Sequence, residues 1–118
     1  MNSKHIGQHH ENQAKHYLSA QGLVILHQNF YCKGGEIDLI ALDQNTLVFI
    51  EVKFRQTDSQ GLPSEFITPT KQKRLVKCAQ FFLLKHRQFE HYCMRFDSLS
   101  ILGEDWTLDW QKNIINGW

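Results

Sequence analysis

The spacing of hydrophobic and polar residues changes along the chain between the helical period and the two-residue period of strands. Helical spacing predicts one helix over residues 5–21. It predicts another from Thr68 to about His86, in which Thr68 would cap the helix and Pro69 would lie in its first turn. A short strand is predicted over residues 106–110. Alternating segments rich in β-branched and aromatic residues predict four further strands, which are residues 23–30, 36–42, 46–54 and 92–102.

The order of the main elements is α-β-β-β-α-β, which predicts a single α/β or α+β domain over residues 1–118 with a mixed central sheet flanked by helices. The polar segment 55–67, which contains a glycine and a proline, is predicted to be a mobile loop. Residues 111–118 are predicted to form a loosely ordered tail. A chain of 118 residues, 42% of them hydrophobic, can bury a core of its own.

Composition indicates the cellular location of the protein and excludes some kinds of site. Its apolar runs are too short to span a membrane and its N-terminus lacks an apolar signal segment, so we expect a soluble cytoplasmic protein with no membrane partner. Cys32, Cys78 and Cys93 are too few and too scattered for a disulfide framework, and no CxxC pair suggests structural zinc. We expect Cys78 and Cys93 to be small core residues and Cys32 to be a loop thiol.

Charge is unevenly distributed although the formal net charge is only +1. Residues 66–89 contain six basic residues and no acidic one, so the thirteen basic and twelve acidic residues of the chain are segregated. Within the second predicted helix, Lys71, Arg74 and Lys77 recur every three residues and therefore share a side. With Arg55 they are candidate contacts to nucleic-acid phosphates. The alternative is an ordinary solvated helix face.

The candidate chemistry lies in the second and third predicted strands. If their hairpin turn is centred between residues 44 and 45, Asp38 faces Glu51, and strand alternation places Lys53 on the same face. Two opposed carboxylates repel each other and resist burial. A Mg²⁺ or Mn²⁺ ion would offset both effects, since these ions bind carboxylate oxygens. Two carboxylates, a lysine and a divalent cation are the groups used in metal-assisted phosphodiester hydrolysis.

Other interpretations of these charges remain. Lys53 would form salt bridges with Asp38 and Glu36 if the face were solvated. The same face carries several large apolar residues, which favours a site at one end of a covered surface. Glu11 lies on the small-apolar face of the first helix, where it would either join the metal site or pair with Lys15 four residues later. The N-terminal histidines lack the further ligands that a metal site needs.

Over nearly its whole length the chain resembles the YraN-type bacterial family, which is functionally uncharacterised. That family is assigned to the restriction-endonuclease-like superfamily, and archaeal Holliday-junction resolvases are among its closest structural relatives. The residues that carry the resemblance are Gly7, Glu11, Ala14, Leu18, Gly22, Asn29, Gly35-Glu36-Ile37-Asp38-Leu39-Ile40, Val48-Phe49-Ile50-Glu51-Val52-Lys53, Arg55, Lys71 and Arg95-Phe96-Asp97.

The resemblance implies a restriction-endonuclease-like αβββαβ core with a nuclease-competent site. It assigns metal binding to Asp38, the Glu-x-Lys motif to Glu51 and Lys53, and the helix-borne acid of the resolvases to Glu11. The carbonyl of Val52 would be a further metal ligand, with Mg²⁺ or Mn²⁺ as the cofactor. By analogy with the dimeric resolvases, a homodimer is expected.

The chain departs from the family pattern at two places, neither of them a proposed ligand. His10 stands where the family often has glycine, and Ser98-Leu99 replaces two valines.

Three functions are compatible with these residues. The first is a Mg²⁺- or Mn²⁺-dependent endonuclease that hydrolyses DNA, including branched or structured DNA. The second is a non-catalytic nucleic-acid-binding module that uses the same basic helix. The third is an interaction adaptor that binds through the C-terminal tryptophans, which are Trp106, Trp110 and Trp118.

Overall fold

The computed structural model describes residues 3–55, 68–103 and 107–115. Its helices and strands confirm the mixed α+β fold and the αβββαβ order, followed by a fifth strand. A short 3₁₀ helix over Arg87–Phe89, which the sequence analysis did not predict, follows the second helix. The main elements are α1 (Ser3–Ala20), β1 (Val24–Cys32), β2 (Gly35–Asp43), β3 (Thr46–Arg55), α2 (Pro69–Lys85), β4 (Cys93–Leu102) and β5 (Thr107–Gln111).

The five strands form one mixed sheet in the order β1-β2-β3-β4-β5. Among these five strands only β3 and β4 pair in parallel. The connection between them contains α2, which brings the chain back to the end of the sheet where β3 begins. The predicted cap of α2 is present, since the Thr68 hydroxyl accepts the backbone N–H of Lys71 at 3.2 Å.

The hairpin between β2 and β3 has the predicted register. Five consecutive residue pairs run from the turn to Leu39 and Ile50, and Gln44 in the turn has a φ of 55°. Register therefore follows from the two-residue turn and from the need to keep apolar side chains covered. The regular pairing ends one position before Asp38 and Glu51.

Two hydrophobic clusters lie on the two faces of the sheet. α2 packs on one face through Leu75, Cys78, Ala79 and Phe82, against a cluster that includes Ile40, Leu47, Phe49 and Phe96. α1 packs on the other face through Ala14 and Leu18, against Leu39, Ala41, Val48, Ile50 and Leu99. The central strands β2 and β3 are consequently covered on both faces, which accounts for their nearly continuous apolar sequence.

The edge strand β1 has an unusual backbone conformation at Asn29, between the Gln28–Leu39 and Phe30–Ile37 pairs. Asn29 adopts a φ of 57°, a conformation that asparagine tolerates better than most residues. Ile37 and Leu39 would share a face in a regular strand, but they pack into opposite clusters. The regular alternation of β2 therefore stops at Asp38.

The cysteines differ from the sequence-based expectation. Cys32 at the end of β1 and Cys78 in α2 form a disulfide, with 5.6 Å between their Cα atoms, whereas we expected no disulfide. Cys93 was expected in the core but is exposed at the start of β4. The pairing was missed because the two residues are 46 positions apart and only the packing of α2 on the sheet brings them together.

Residues 112–115, which follow β5, are anchored, whereas a loosely ordered tail was expected over residues 111–118. The backbone N–H of Ile114 donates to the Phe96 carbonyl at 2.8 Å, and Ile115 is buried in the α2-side cluster. The predicted mobile loop after Arg55 lies outside the described residues, as do Trp106 and Trp118.

A buried carboxylate in β4 organises this end of the sheet. Asp97 is fully buried and accepts hydrogen bonds from Arg95 Nε, Trp110 Nε1 and the Asn113 backbone N–H, all between 2.9 and 3.1 Å. Arg95 also donates to Asp43 at 2.9 Å. Asp97 thereby joins β4, β5 and the following segment, and its negative charge has a guanidinium partner.

In the part of the chain that the structure describes, no helix is long and apolar enough to cross a membrane.

We expect Asp97→Ala to lower the free energy of unfolding by about 3–5 kcal/mol, because the Trp110 indole N–H and the Asn113 backbone N–H lose their acceptor and Arg95 keeps only Asp43 as its partner. Denaturant unfolding followed by far-UV circular dichroism measures this loss. The control is Glu90→Ala, which removes an exposed ion pair with Arg87 and should cost about 0.5 kcal/mol or less. A loss below about 1 kcal/mol for Asp97→Ala would contradict the assigned role.

Candidate functional site

The carboxylate of Asp38 bonds to the strand next to it. Its Oδ2 atom accepts the backbone N–H of Val52 at 2.8 Å, just beyond the last regular pair between β2 and β3. Burial raises the pKa of Asp38 to about 7, although the Val52 N–H opposes this effect. The negative charges of Glu11, Glu51 and Glu36 raise the pKa further. Asp38 therefore lies among carboxylates that disfavour its ionised form.

Glu51 lies on β3 with only 13% of its side chain exposed, and it is unevenly paired. Its Oε1 atom accepts ion pairs from both Lys53, at 2.9 Å, and Lys71 of α2. Its Oε2 atom is buried without a hydrogen-bond partner in the described structure. One oxygen thus carries two ammonium groups while the other retains an unused acceptor.

The two lysines differ in how firmly they hold their protons. Burial alone would lower the pKa of Lys53, but contacts with Lys71 and Glu51 and the negative charges of Glu51 and Asp38 raise it. Burial lowers the pKa of Lys71, and its ion pair with Glu51 only partly compensates. Lys53 is consequently the more firmly charged partner of Glu51.

Glu11 approaches from α1 and is held by polar side chains of β1. It forms hydrogen bonds with Asn29 and Gln28, and burial together with the charge of Glu36 raises its pKa while those hydrogen bonds lower it. A Glu11–Lys15 ion pair is not found among the described residues. Glu11 therefore lies close enough to Asp38 for their charges to interact.

A cavity of about 550 Å³ opens between the β1–β2 turn and the beginning of α2. A neighbouring cavity of about 530 Å³ shares Gly34 and Arg74 with it and adds Lys33 and Lys77. We call the two cavities together the basic groove. The residues that line the first cavity are Gly34, Gly35, Glu36, Glu51, Lys53, Thr68, Thr70, Lys71, Arg74 and Leu75.

The structure brings most of the sequence-predicted residues into one region. Lys71 and Arg74 line the same cavity as Glu51 and Lys53, whereas Lys77 lies in the adjoining cavity. Asp38 joins them through Val52, which follows Glu51 directly. The side chain of Arg55 lies outside the described residues.

Comparison with known proteins shows the family of this chain. The model of the uncharacterised protein family UPF0102 matches residues 10–101. The chain belongs to the UPF0102 family. A UPF0102 protein of Vibrio cholerae serotype O1 El Tor is 41% identical over 116 residues, which cover 98% of this chain and 95% of the relative. UPF0102 proteins of Herminiimonas arsenicoxydans and Alcanivorax borkumensis are 42% and 45% identical, over 93% and 83% of the chain and 86% and 78% of the relatives.

A divalent cation is expected at this site from the sequence, and the donor atoms of Glu51 and Asp38 are of the type that such a cation binds. Glu51 has a buried oxygen without a partner, and Asp38 lies near enough for the two charges to interact. Oxygen donors of this kind bind Mg²⁺ and Mn²⁺. Within residues 3–55, 68–103 and 107–115, no three His, Cys, Asp or Glu side chains are gathered around a common point.

Sequence reasoning assigned no role to three residues that touch or flank this site. Asn29 and Gln28 form hydrogen bonds with Glu11. The sequence feature that could have identified them is a pair of amide side chains within a predicted strand of mostly apolar residues. Ser98 is the Cα partner of Glu51 across β3 and β4, and its buried hydroxyl lacks a hydrogen-bond partner. The sequence identifies Ser98 as a departure from the family valine, but only the pairing of β3 with β4 connects it with the site.

We expect the stability of the metal-free protein to fall as pH rises from about 4 to about 7. The folded protein then keeps a proton on Asp38 that the unfolded chain, with an ordinary pKa of 3.8, has already released. Asp38→Asn retains an acceptor for the Val52 N–H but has no charge to bury. The variant should therefore be more stable than wild type at pH 8, by up to about 4 kcal/mol, and should gain much less at pH 4.5.

Denaturant unfolding in the presence of a chelator, at both pH values, measures this difference. Asp109→Asn is the matched control, because Asp109 lies on β5 with Gln111 as its partner and is not among the carboxylates that raise the pKa of Asp38. An equal effect of Asp38→Asn at both pH values would contradict the prediction.

Proposed function

We propose that this UPF0102 protein is a metal-dependent endonuclease that hydrolyses DNA phosphodiester bonds, including those of branched or structured DNA. The observation that supports this proposal is the half-satisfied Glu51, which carries Lys53 on one oxygen and lies beside Asp38 and the basic groove. A protein gains no stability from carboxylates held together in this way, so a catalytic use explains them better than a structural one.

Each residue would then have a distinct task. Asp38 and Glu51 would hold a Mg²⁺ or Mn²⁺ ion, with the Val52 carbonyl as a further ligand. Such a cation supplies Lewis acidity and a more acidic bound water. Lys53 keeps Glu51 oriented through its 2.9 Å ion pair and provides positive charge for the phosphate oxygens. Glu11, fixed by Asn29 and Gln28, would accept a proton or a hydrogen bond from water near Asp38.

The basic groove would hold the nucleic-acid backbone. Lys71, Arg74 and Lys77 succeed one another along α2 at one-turn spacing, and the β1–β2 turn adds Lys33 on the opposite side. Such contacts neutralise phosphates without reading sequence, which suits recognition of DNA by shape. A homodimer, expected by analogy, would place two sites for paired cuts.

A second function, nucleic-acid binding without cleavage, is supported by one specific observation. Glu51 is already neutralised by two lysines, and no complete set of metal ligands is assembled within the described residues. The adaptor function has weaker support. The Trp110 ring contacts Tyr17 and its Nε1 atom donates to Asp97, so this tryptophan has a packing role.

We expect the wild-type protein to cleave at least one DNA substrate in the presence of Mg²⁺ or Mn²⁺ and to be inactive in a chelator. The substrates are linear duplex, single-stranded, flap and four-way-junction DNA, resolved on denaturing gels. Glu51→Gln and Asp38→Asn each remove a negative ligand and should lower the cleavage rate by at least about 100-fold.

Asp109→Asn is the control for cleavage, since it changes a carboxylate of β5 that lines neither cavity of the groove. Cleavage that persists unchanged in Glu51→Gln or Asp38→Asn would disprove the assigned site. Binding without cleavage of every substrate would favour the second function.

The groove generates a prediction for binding that holds for both functions. Arg74→Gln/Lys77→Gln should weaken DNA binding at all sequences and reduce the slope of log K against log salt by about 2, because each substitution leaves one phosphate without its cation. Fluorescence anisotropy over a salt series measures this slope. Arg87→Gln is the matched control, because Arg87 is basic but 78% exposed and paired with Glu90. An equal slope in wild type and the double variant would rule out the groove as the binding surface.

A further inference from the structure

The ion pair between Lys71 and Glu51 stands apart from the rest of the site. Lys53 and Glu51 belong to one strand and are two residues apart, so their contact follows from β3 itself. Lys71 instead comes from the first turn of α2 and reaches across the cavity to the same oxygen. The contact therefore depends on the conformation of the Lys71 side chain, which is not fixed by β3.

The ion pairs of Glu51 with the two lysines compete with the binding of a divalent cation to the same carboxylate. A cation bound to a carboxylate lies about 2.1 Å from the oxygen. Two ammonium groups already contact Oε1, and Oε2 belongs to the same carboxylate. A dipositive ion brought to this group would be strongly repelled by the ammonium groups, since like charges a few ångströms apart in a partly buried site are poorly screened.

The surroundings show which ammonium group can leave. Lys71 is 33% exposed and lines the cavity of about 550 Å³, so its long side chain has room to turn toward the groove. Arg74 lies one turn further along α2 in the same cavity, which makes this region attractive to phosphate. A phosphate there would offer Lys71 an anionic partner in place of Glu51.

We propose that Lys71 is an internal competitor of the divalent cation at Glu51. In the resting protein its ammonium group neutralises Glu51 and keeps metal affinity low. Nucleic-acid phosphate in the basic groove draws Lys71 away, so metal affinity rises when DNA binds. This inference rests on the proposed metal site and makes Lys71 a positioning residue. By linkage, bound metal must strengthen DNA binding by the same factor.

The test is calorimetric titration of Mn²⁺ into the full chain without DNA. Lys71→Met should bind Mn²⁺ at least about 10-fold more tightly than wild type, within the usual range of coupling between sites. Lys71→Arg, which keeps the positive charge, should bind as weakly as wild type. Lys73→Met is the matched control, because Lys73 lies on the same helix but lines a different cavity, and its affinity should equal that of wild type.

The second arm repeats the titration with a 20-base-pair duplex made with phosphorothioate linkages, which resists hydrolysis. The duplex should raise the Mn²⁺ affinity of wild type about 10-fold and leave that of Lys71→Met nearly unchanged. If Lys71→Met does not fold by circular dichroism, Lys71→Gln replaces it with the same expectation.

The outcomes separate this inference from the function on which it rests. Equal Mn²⁺ affinities for wild type and Lys71→Met, both abolished by Glu51→Gln, would overturn the inference and leave the metal site intact. Binding that Glu51→Gln does not affect would overturn both. Tighter binding by Lys71→Met that Glu51→Gln then removes would support both.

Discussion

The burial of Glu51 on the third of five strands is the constraint on which the site depends. A carboxylate with 13% of its side chain exposed needs compensating charge, and Lys53 on β3 provides one ammonium group. The second ammonium group comes from α2, whose apolar face must first be packed on the sheet by Leu75 and Phe82. The candidate site is therefore assembled by the same packing that forms the core. Damage to that packing should remove Lys71 from Glu51 before it unfolds β3.

Asp97 shows what a structural carboxylate looks like in the same sheet. It is more deeply buried than Glu51, yet both of its oxygens accept hydrogen bonds and a guanidinium balances its charge. Asp38 and Glu51 differ, because one has its pKa raised by burial and by neighbouring carboxylates and the other keeps a buried oxygen without a partner. The difference between the structural carboxylate and the two candidate catalytic carboxylates therefore lies in the number of hydrogen-bond partners and the charge of the neighbouring groups, and not in the degree of burial.

The features that could be predicted from the sequence depend on residues close together in the chain. The β2–β3 register follows from a two-residue turn, and it brings Asp38 near Glu51 because their strands are consecutive. The start of α2 follows from Thr68 and the proline after it. The Lys71–Glu51 ion pair, the Cys32–Cys78 disulfide and the anchoring of Ile115 could not be predicted. Each joins elements whose relative position is set only when α2 and residues 112–115 pack on the sheet.

Ser98 extends this reasoning to a position where the chain departs from its family. A valine there would pack against the α2 side without any polar requirement, whereas the serine hydroxyl is buried and lacks a partner. A buried polar group in that state costs roughly 1–3 kcal/mol. Its Cα partner across the parallel strands is Glu51, whose Oε2 is in the same state. The Ser98 hydroxyl and Glu51 Oε2 are thus two unsatisfied polar atoms on paired residues of β4 and β3, and together they destabilise this part of the sheet. That place adjoins the cavity in which Lys53 and Lys71 meet Glu51, so the loss of stability coincides with the candidate chemistry.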